Sequence, residues 1–141
     1  MTTFAPWTLN TTKLHPPRVA ANLVVRPRLV KQMDQGVRNA LTLVCASVGY
    51  GKTTLVTSWL ESRAVVRGSQ DDPWPVAWLS IDEYDSDLAV FLRYFCAALR
   101  TLFPNACAQT LQLLSSPQQA PLNILIATLG SELAALPQDF I

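Results

Sequence analysis

The sequence has little charge, and this shortage excludes one class of protein. Charged residues make up 15% of its 141 residues, below the ~25% that is usual for soluble domains. The formal net charge is only +1. A nucleic-acid-binding module normally carries a basic excess that neutralises phosphates, so we do not expect this chain to be one. Hydrophobic residues reach 50%, which is too many for a chain that is disordered over most of its length.

Histidine and cysteine are scarce as well. His15 is the single histidine, and the three cysteines Cys45, Cys96 and Cys107 lack C-x-x-C spacing. We therefore expect neither a zinc site nor a histidine-based catalytic triad. The cysteines are predicted to be buried free thiols in a reducing compartment.

Long apolar runs are also missing. Residues 1–17 lack the basic start and apolar stretch of a signal peptide. The best apolar stretch, 88–102, contains Arg93 and Arg100 and is shorter than the ~20 residues that cross a bilayer. We therefore expect a cytoplasmic location and no membrane partner.

Apolar periodicity predicts several helices and short strands. Stripes at helical spacing indicate helices at 26–36, at 53–62, from Asp85 to the break at Pro104, and at 122–136, with a turn of helix at 111–114. Continuous apolar, partly β-branched runs predict strands at 41–46 and 76–81, and a short one at 22–25. Alternating strands and helices indicate an α/β fold, specifically a P-loop NTPase parallel sheet with flanking helices.

The end of the sequence indicates that this sheet is incomplete. Phe140 and Ile141 follow a helix and a turn, as the start of a further strand would. We therefore expect a chain truncated before the strand that holds the magnesium-binding acids (the Walker B strand). The predicted division is an amino-terminal arm and short helix at 1–40, followed by the amino-terminal part of the NTPase domain at 41–141.

A glycine-rich loop between the first long strand and the next helix matches the phosphate-binding P-loop (Walker A) pattern, with alanine at its first position. Its glycines allow a tight turn in which backbone N–H groups converge on phosphate oxygens, next to a helix N-terminus. Lys52 is expected to reach the β and γ phosphates, and the Thr53 hydroxyl to bind Mg²⁺. The predicted ATP- or ADP-binding residues are Ala46, Ser47, Val48, Gly49, Tyr50, Gly51, Lys52, Thr53 and Thr54.

Hydrolysis would also need an acidic residue that holds Mg²⁺ and positions water. Asp82 and Glu83 follow the second predicted strand, at the sheet edge where ligands bind, and are the candidate catalytic residues. The alternative for both is a solvated turn. Asp85 and Asp87 are expected to cap the long helix instead. Because the acidic strand itself is missing, we do not expect this chain alone to hydrolyse ATP.

Several segments in this order resemble the amino-terminal part of the MalT-like, LuxR-type transcriptional regulators, which are STAND-class signalling ATPases. The resemblance rests on Thr12-Lys13-Leu14 with Pro16-Pro17, on Val25-Arg26-Pro27-Arg28-Leu29, on the glycine-rich loop, on residues 77–85 and on Phe91-Leu92-Arg93-Tyr94. Positions 47–48 are Ser-Val, where the family commonly has Pro-Ala or a similar pair.

The resemblance implies a nucleotide switch in a larger regulator. An ADP-bound resting monomer would exchange its nucleotide when an inducer binds, and would then self-associate on DNA. The DNA would be bound by a carboxy-terminal domain that is missing here. The resemblance also places Val25 and Arg26 near the adenine and ribose. From the residues alone, Arg26 is equally a solvated helix start.

Two other functions stay open at this stage. One is a different P-loop ATPase or kinase, whose output is catalytic turnover. The other is a shortened regulator that no longer switches and acts by pairing with an intact relative.

Overall fold

The computed structural model describes residues 8–18, 24, 26–66, 74–118 and 120–141. The chain forms two compact units. One consists of Pro17–Pro73 and is called the loop unit below, because it contains the glycine-rich loop. The other combines Met1–Pro16 with Trp74–Ile141 and is called the helical unit.

The described residues form five α-helices and two 3₁₀ turns. The α-helices are α1 (Pro27–Gly36), α2 (Lys52–Val66), α3 (Leu88–Arg100), α4 (Ala108–Ser115) and α5 (Leu122–Ala134), and the 3₁₀ turns are Thr11–Leu14 and Glu83–Ser86. Every helix that the periodicity predicted is confirmed, with ends that differ by a few residues. None of the described helices is long and apolar enough to cross a membrane.

The start of α3 shows why these ends shift. The helix begins at Leu88 rather than at Asp85, because the Asp87 side chain accepts a hydrogen bond from the Val90 amide at 3.0 Å. A side-chain oxygen at the N-cap satisfies one of the free amides of the first turn. The predicted capping of this helix is therefore confirmed for Asp87 and wrong for Asp85, whose side chain belongs to the capping box of the preceding 3₁₀ turn.

The predicted α/β fold is wrong, since the described ranges contain helices and no strand or sheet. The run at 41–46 was expected to be buried on both faces, yet Leu41 and Leu43 are each 79% exposed. A strand is defined by hydrogen bonds to a neighbouring strand. Among the described residues, no backbone bond pairs 41–45 with another segment.

The second run, at 76–81, makes only isolated backbone bonds. The Ala77 amide donates to the Ile141 carbonyl at 2.7 Å, and the Ile141 amide donates to the Pro75 carbonyl at 2.9 Å. The Ser80 amide donates to the Lys13 carbonyl at 2.8 Å. These single-residue pairings do not build a sheet. The third predicted strand, 22–25, lies outside the described residues except for Val24.

The core of the helical unit lies where α3 meets the α4–α5 pair. Its buried members are Cys96, Leu99, Phe103, Ala106 and Cys107, with Leu129 and Leu133 of α5 packed against them. The Glu132 carboxylate on α5 caps α4 by accepting from the Gln109 and Thr110 amides at 2.8 and 3.1 Å. Burial of Cys96 and Cys107 confirms the prediction for these two thiols. Cys45 is exposed, so the prediction is wrong for this thiol.

Candidate functional site

The glycine-rich loop, residues 46–54 and named the glycine loop from here on, has the backbone that its sequence predicts. Gly49 and Gly51 have φ angles of +84° and +75°, a region that side chains disfavour. The Tyr50 amide donates to the Ser47 carbonyl at 3.4 Å, which closes a tight turn. A Cβ added to Gly49 would meet nothing within 4 Å. The turn therefore opens onto free space on that side.

The glycine loop passes directly into α2. The Leu55 amide donates to the Gly51 carbonyl at 2.9 Å, so Gly51 stands where the first helical turn begins. Thr53 and Thr54 are exposed on that turn. Helix N-termini present free amides and a partial positive charge to solvent, which favours a bound anion.

Lys52 folds back over the glycine loop. Its Nζ donates to the Ala46 carbonyl at 2.8 Å and to the Ser47 carbonyl at 3.0 Å. A lysine ammonium has three donors, so one remains after these two bonds. Val48 and Tyr50 extend outward, 96% and 66% exposed, and their side chains do not close over the turn.

Arg26 also reaches the glycine loop. It stands just before α1, and its Nη1 donates to the Tyr50 carbonyl at 3.4 Å. The structure therefore brings Arg26 together with the predicted phosphate-binding residues. Val25 lies outside the described residues.

A cluster on the facing sides of α1 and α2 was missed by sequence reasoning. The Trp59 indole N–H donates to Asp34 Oδ1 at 2.7 Å, and Trp59 itself is 2% exposed. The Arg63 guanidinium lies 5.0 Å from the Trp59 ring centroid and 3.9 Å from the same Asp34 oxygen. The sequence contained one indication of this cluster, since Asp34 follows Val30 by one helical turn and therefore lies on the side of α1 that faces α2.

The candidate catalytic acids lie in the helical unit. Asp82 Oδ2 is 2.8 Å from Lys13 Nζ, and Asp82 Oδ1 accepts from the Tyr84 amide at 3.0 Å. Glu83 is exposed at the first position of its 3₁₀ turn. The visible partners of Asp82 are thus a lysine and a turn amide. A catalytic role for either residue stays a prediction.

Lys13 and Asp85 form the buried part of this network. Lys13 Nζ lies 2.8 and 2.7 Å from the two carboxylate oxygens of Asp85, a 6% exposed residue. Asp85 also accepts from the Asp82 amide at 2.9 Å, which completes a capping box. The hydrogen bond from Lys13 lowers the pKa of Asp85, and the carboxylates of Asp82 and Asp85 raise the pKa of Lys13. Both residues are therefore held in their charged forms.

Comparisons with known proteins point to one group of regulators. The chain is 34% identical over 122 residues to a protein named HTH-type transcriptional regulator MalT from Klebsiella pneumoniae subsp. pneumoniae. It is 35% identical over 122 residues to the protein of that name from Serratia proteamaculans, and 32% identical over 126 residues to that from Cronobacter sakazakii.

These matches cover 86–89% of this chain, whereas the chain spans only 12–13% of the length of these relatives. No protein-family model matches the chain. The similarity thus agrees with the MalT-like resemblance over most of the sequence.

Proposed function

We propose that the glycine loop binds the phosphates of ATP or ADP, and that the chain is the nucleotide-binding segment of a MalT-like, STAND-type transcriptional regulator. In this proposal, the nucleotide acts as a signalling switch. The similarity to proteins named HTH-type transcriptional regulator MalT supports the regulatory part.

The observation that carries the proposal is the backbone of the glycine loop. Two successive left-handed glycines alternate with Tyr50 and Lys52 at the entrance to α2. Alternating backbone handedness makes successive N–H groups converge on one concavity, which is an anion-binding arrangement. A Cβ placed on Gly49 would meet nothing within 4 Å, so this side of the turn is open to a ligand.

The side chains around this concavity suit a nucleotide with magnesium. The Lys52 ammonium lies on the rim, held by the loop carbonyls, with a donor left for a phosphate. The exposed Thr53 hydroxyl, on the first turn of α2, is a hard oxygen ligand of the kind Mg²⁺ prefers. Magnesium bound there would neutralise phosphate charge. Arg26 adds a second cation beside the loop.

In the whole regulator, the segment would act through parts outside this chain. Nucleotide exchange would alter self-association, and DNA would be bound by a carboxy-terminal domain. The net charge of only +1 gives this chain no basic excess with which to bind DNA.

Calorimetric titration of the 141-residue chain with ADP and ATP, each with Mg²⁺, tests the proposal. Lys52→Ala removes the ammonium and is expected to weaken binding by roughly tenfold to a hundredfold, because hydrogen bonds from charged groups contribute ~1.5–3 kcal/mol.

Lys31→Ala is the matched control, since it removes the same charge from an exposed position on α1 in the same unit. Its affinity should stay within about twofold of wild type. Unchanged affinity in Lys52→Ala would overturn the assignment of the glycine loop. Absence of binding by the wild-type chain would overturn the nucleotide proposal itself.

A further inference from the structure

We propose that Trp59 and Asp34 are positioning residues for nucleotide binding, because their hydrogen bond holds α1 so that Arg26 stays at the glycine loop. This inference rests on the proposed function and names a control element for the same site.

The two contacts of α1 lie at opposite ends of the helix. Asp34 is in its last turn and accepts from Trp59 of α2 at 2.7 Å. Arg26 directly precedes its first residue and donates to the Tyr50 carbonyl at 3.4 Å. Ten residues at 1.5 Å per residue make α1 ~15 Å long. A rotation of the helix about one end would therefore displace the other end.

The route from Trp59 back to the glycine loop is rigid, since it runs along α2. The helix begins at Lys52 inside the glycine loop, and Trp59 follows two turns later with 2% of its surface exposed. The glycine loop is thus connected to Arg26 by two routes. One is the direct contact between Arg26 and the Tyr50 carbonyl, and the other runs along α2, through the Trp59–Asp34 bond and along α1.

The end of α1 next to Asp34 has a second close approach. A Cβ on Gly36 would lie 2.7 Å from the Thr42 hydroxyl oxygen, so the backbone of α1 lies directly against the segment that enters the glycine loop. The Arg26 bond at 3.4 Å is long for a hydrogen bond. A contact this weak depends on the placement of the helix that bears it, whereas the bond to Trp59 is short, at 2.7 Å, and its indole donor is buried.

The test is a double-mutant cycle on ADP affinity, measured by calorimetry with Mg²⁺. Trp59→Phe keeps a buried ring under Arg63 but removes the indole donor together with part of the ring volume, a loss that the Trp78→Phe control shares and Asp34→Ala avoids. We expect its affinity to fall about five- to tenfold, and Arg26→Ala to cause no further loss in that background, since coupled contacts are non-additive. If the two substitutions instead lowered the ADP affinity by independent factors that multiply in the double mutant, the inference would be overturned.

The chain offers a matched control in the helical unit. The Trp78 indole donates to the Ser80 hydroxyl at 2.8 Å, so Trp78→Phe makes the same chemical change in the unit that does not contain α1. Its ADP affinity should equal that of wild type. An equal loss in Trp59→Phe and Trp78→Phe would show a general effect of removing an indole and would contradict the positioning role.

Two variants of Asp34 keep the test decisive if Trp59→Phe fails to fold. The Asp34 side chain is 53% exposed, so Asp34→Ala removes the acceptor without leaving a cavity. It should reproduce the loss and the non-additivity with Arg26→Ala. Asp34→Asn retains an oxygen for the indole and should restore most of the affinity. Asp34→Ala with wild-type affinity would overturn the inference, whereas a wild-type chain that binds no ADP would overturn the proposed function.

Discussion

At the scale of single residues, a substitution at Gly49 tests the effect of backbone conformation on stability and binding without a steric contribution. A Cβ there would meet no atom within 4 Å, so no steric clash contributes to the effect of a substitution. Its φ of +84° is strained for any residue with a side chain. The conformation, rather than the available space, therefore requires glycine.

Gly49→Ala should lower the free energy of unfolding by about 1–2 kcal/mol, the cost of left-handed backbone in an L-residue. It should also weaken ADP binding, since the strained turn is the proposed phosphate cradle. Gly130→Ala is the matched control, because Gly130 lies inside α5 with equally open space.

There, alanine should instead stabilise by about 0.5–1 kcal/mol through its better helix propensity. Urea unfolding followed by circular dichroism measures both variants. Shifts of the same sign in the two would contradict this account.

Residue-level prediction from the sequence succeeded where the signal is local. The turn geometry of Gly49 and Gly51 follows from eight consecutive residues, whereas phosphate binding by Lys52 stays a prediction. Asp34 and Trp59 were not paired in advance, since they are 25 positions apart. A pairing over that distance depends on how α1 and α2 pack.

At the scale of elements, Lys13 joins the two 3₁₀ turns of the helical unit. Its ammonium forms an ion pair with Asp85 in the 3₁₀ turn Glu83–Ser86. The same ammonium lies 4.8 Å from the centroid of the Tyr94 ring on α3. The Asn10 amide donates to the Tyr94 hydroxyl at 3.2 Å, close to the same turn. The segment around Lys13 is thus held in its unit by this charged pair together with the apolar packing of the buried Leu14.

The destabilisation caused by Lys13→Met should depend on pH. The pKa of Asp85 is lowered in the folded state, so its contribution is present above the ordinary carboxyl pKa of ~3.9 and is lost as pH falls through the folded value. The pKa of Lys13 is raised, so its contribution is present below ~10.4 and is lost as pH rises through the folded value.

The variant should therefore have a lower urea midpoint than wild type between about pH 5 and 9. The difference between the two midpoints should be smaller at about pH 2.5. Lys31→Met removes an exposed lysine from α1 and serves as the control, with a small gap at every pH. A constant gap for Lys13→Met from pH 7 to pH 2.5 would mean that hydrophobic packing, rather than charge, accounts for its effect.

The elements also differ in how well sequence predicted them. Helices close their hydrogen bonds within the segment, so the stripe of Phe95, Leu99 and Leu102 was enough to predict α3. Strands need a neighbour, and apolar runs alone do not supply one. The run at 41–46 is exposed in the described chain, and the predicted parallel sheet does not form.

At the scale of the whole molecule, sequence similarity and local geometry lead to the same account. Similarity to proteins named MalT covers 86–89% of the chain, and the glycine loop with the start of α2 is intact within the loop unit. The Lys13–Asp85 pair joins residues 72 positions apart within the helical unit. That pair was not predictable from spacing, because folding alone brings its members together.

Phosphate binding by the glycine loop can be tested by an amide-resolved NMR titration of the ¹⁵N-labelled chain with ADP and Mg²⁺. The account predicts that the largest shifts fall on the amides of Gly49, Tyr50, Gly51, Lys52 and Thr53, and that Lys52→Ala strongly reduces them. Saturation without shifts in the glycine loop, or shifts largest in the helical unit, would contradict the account.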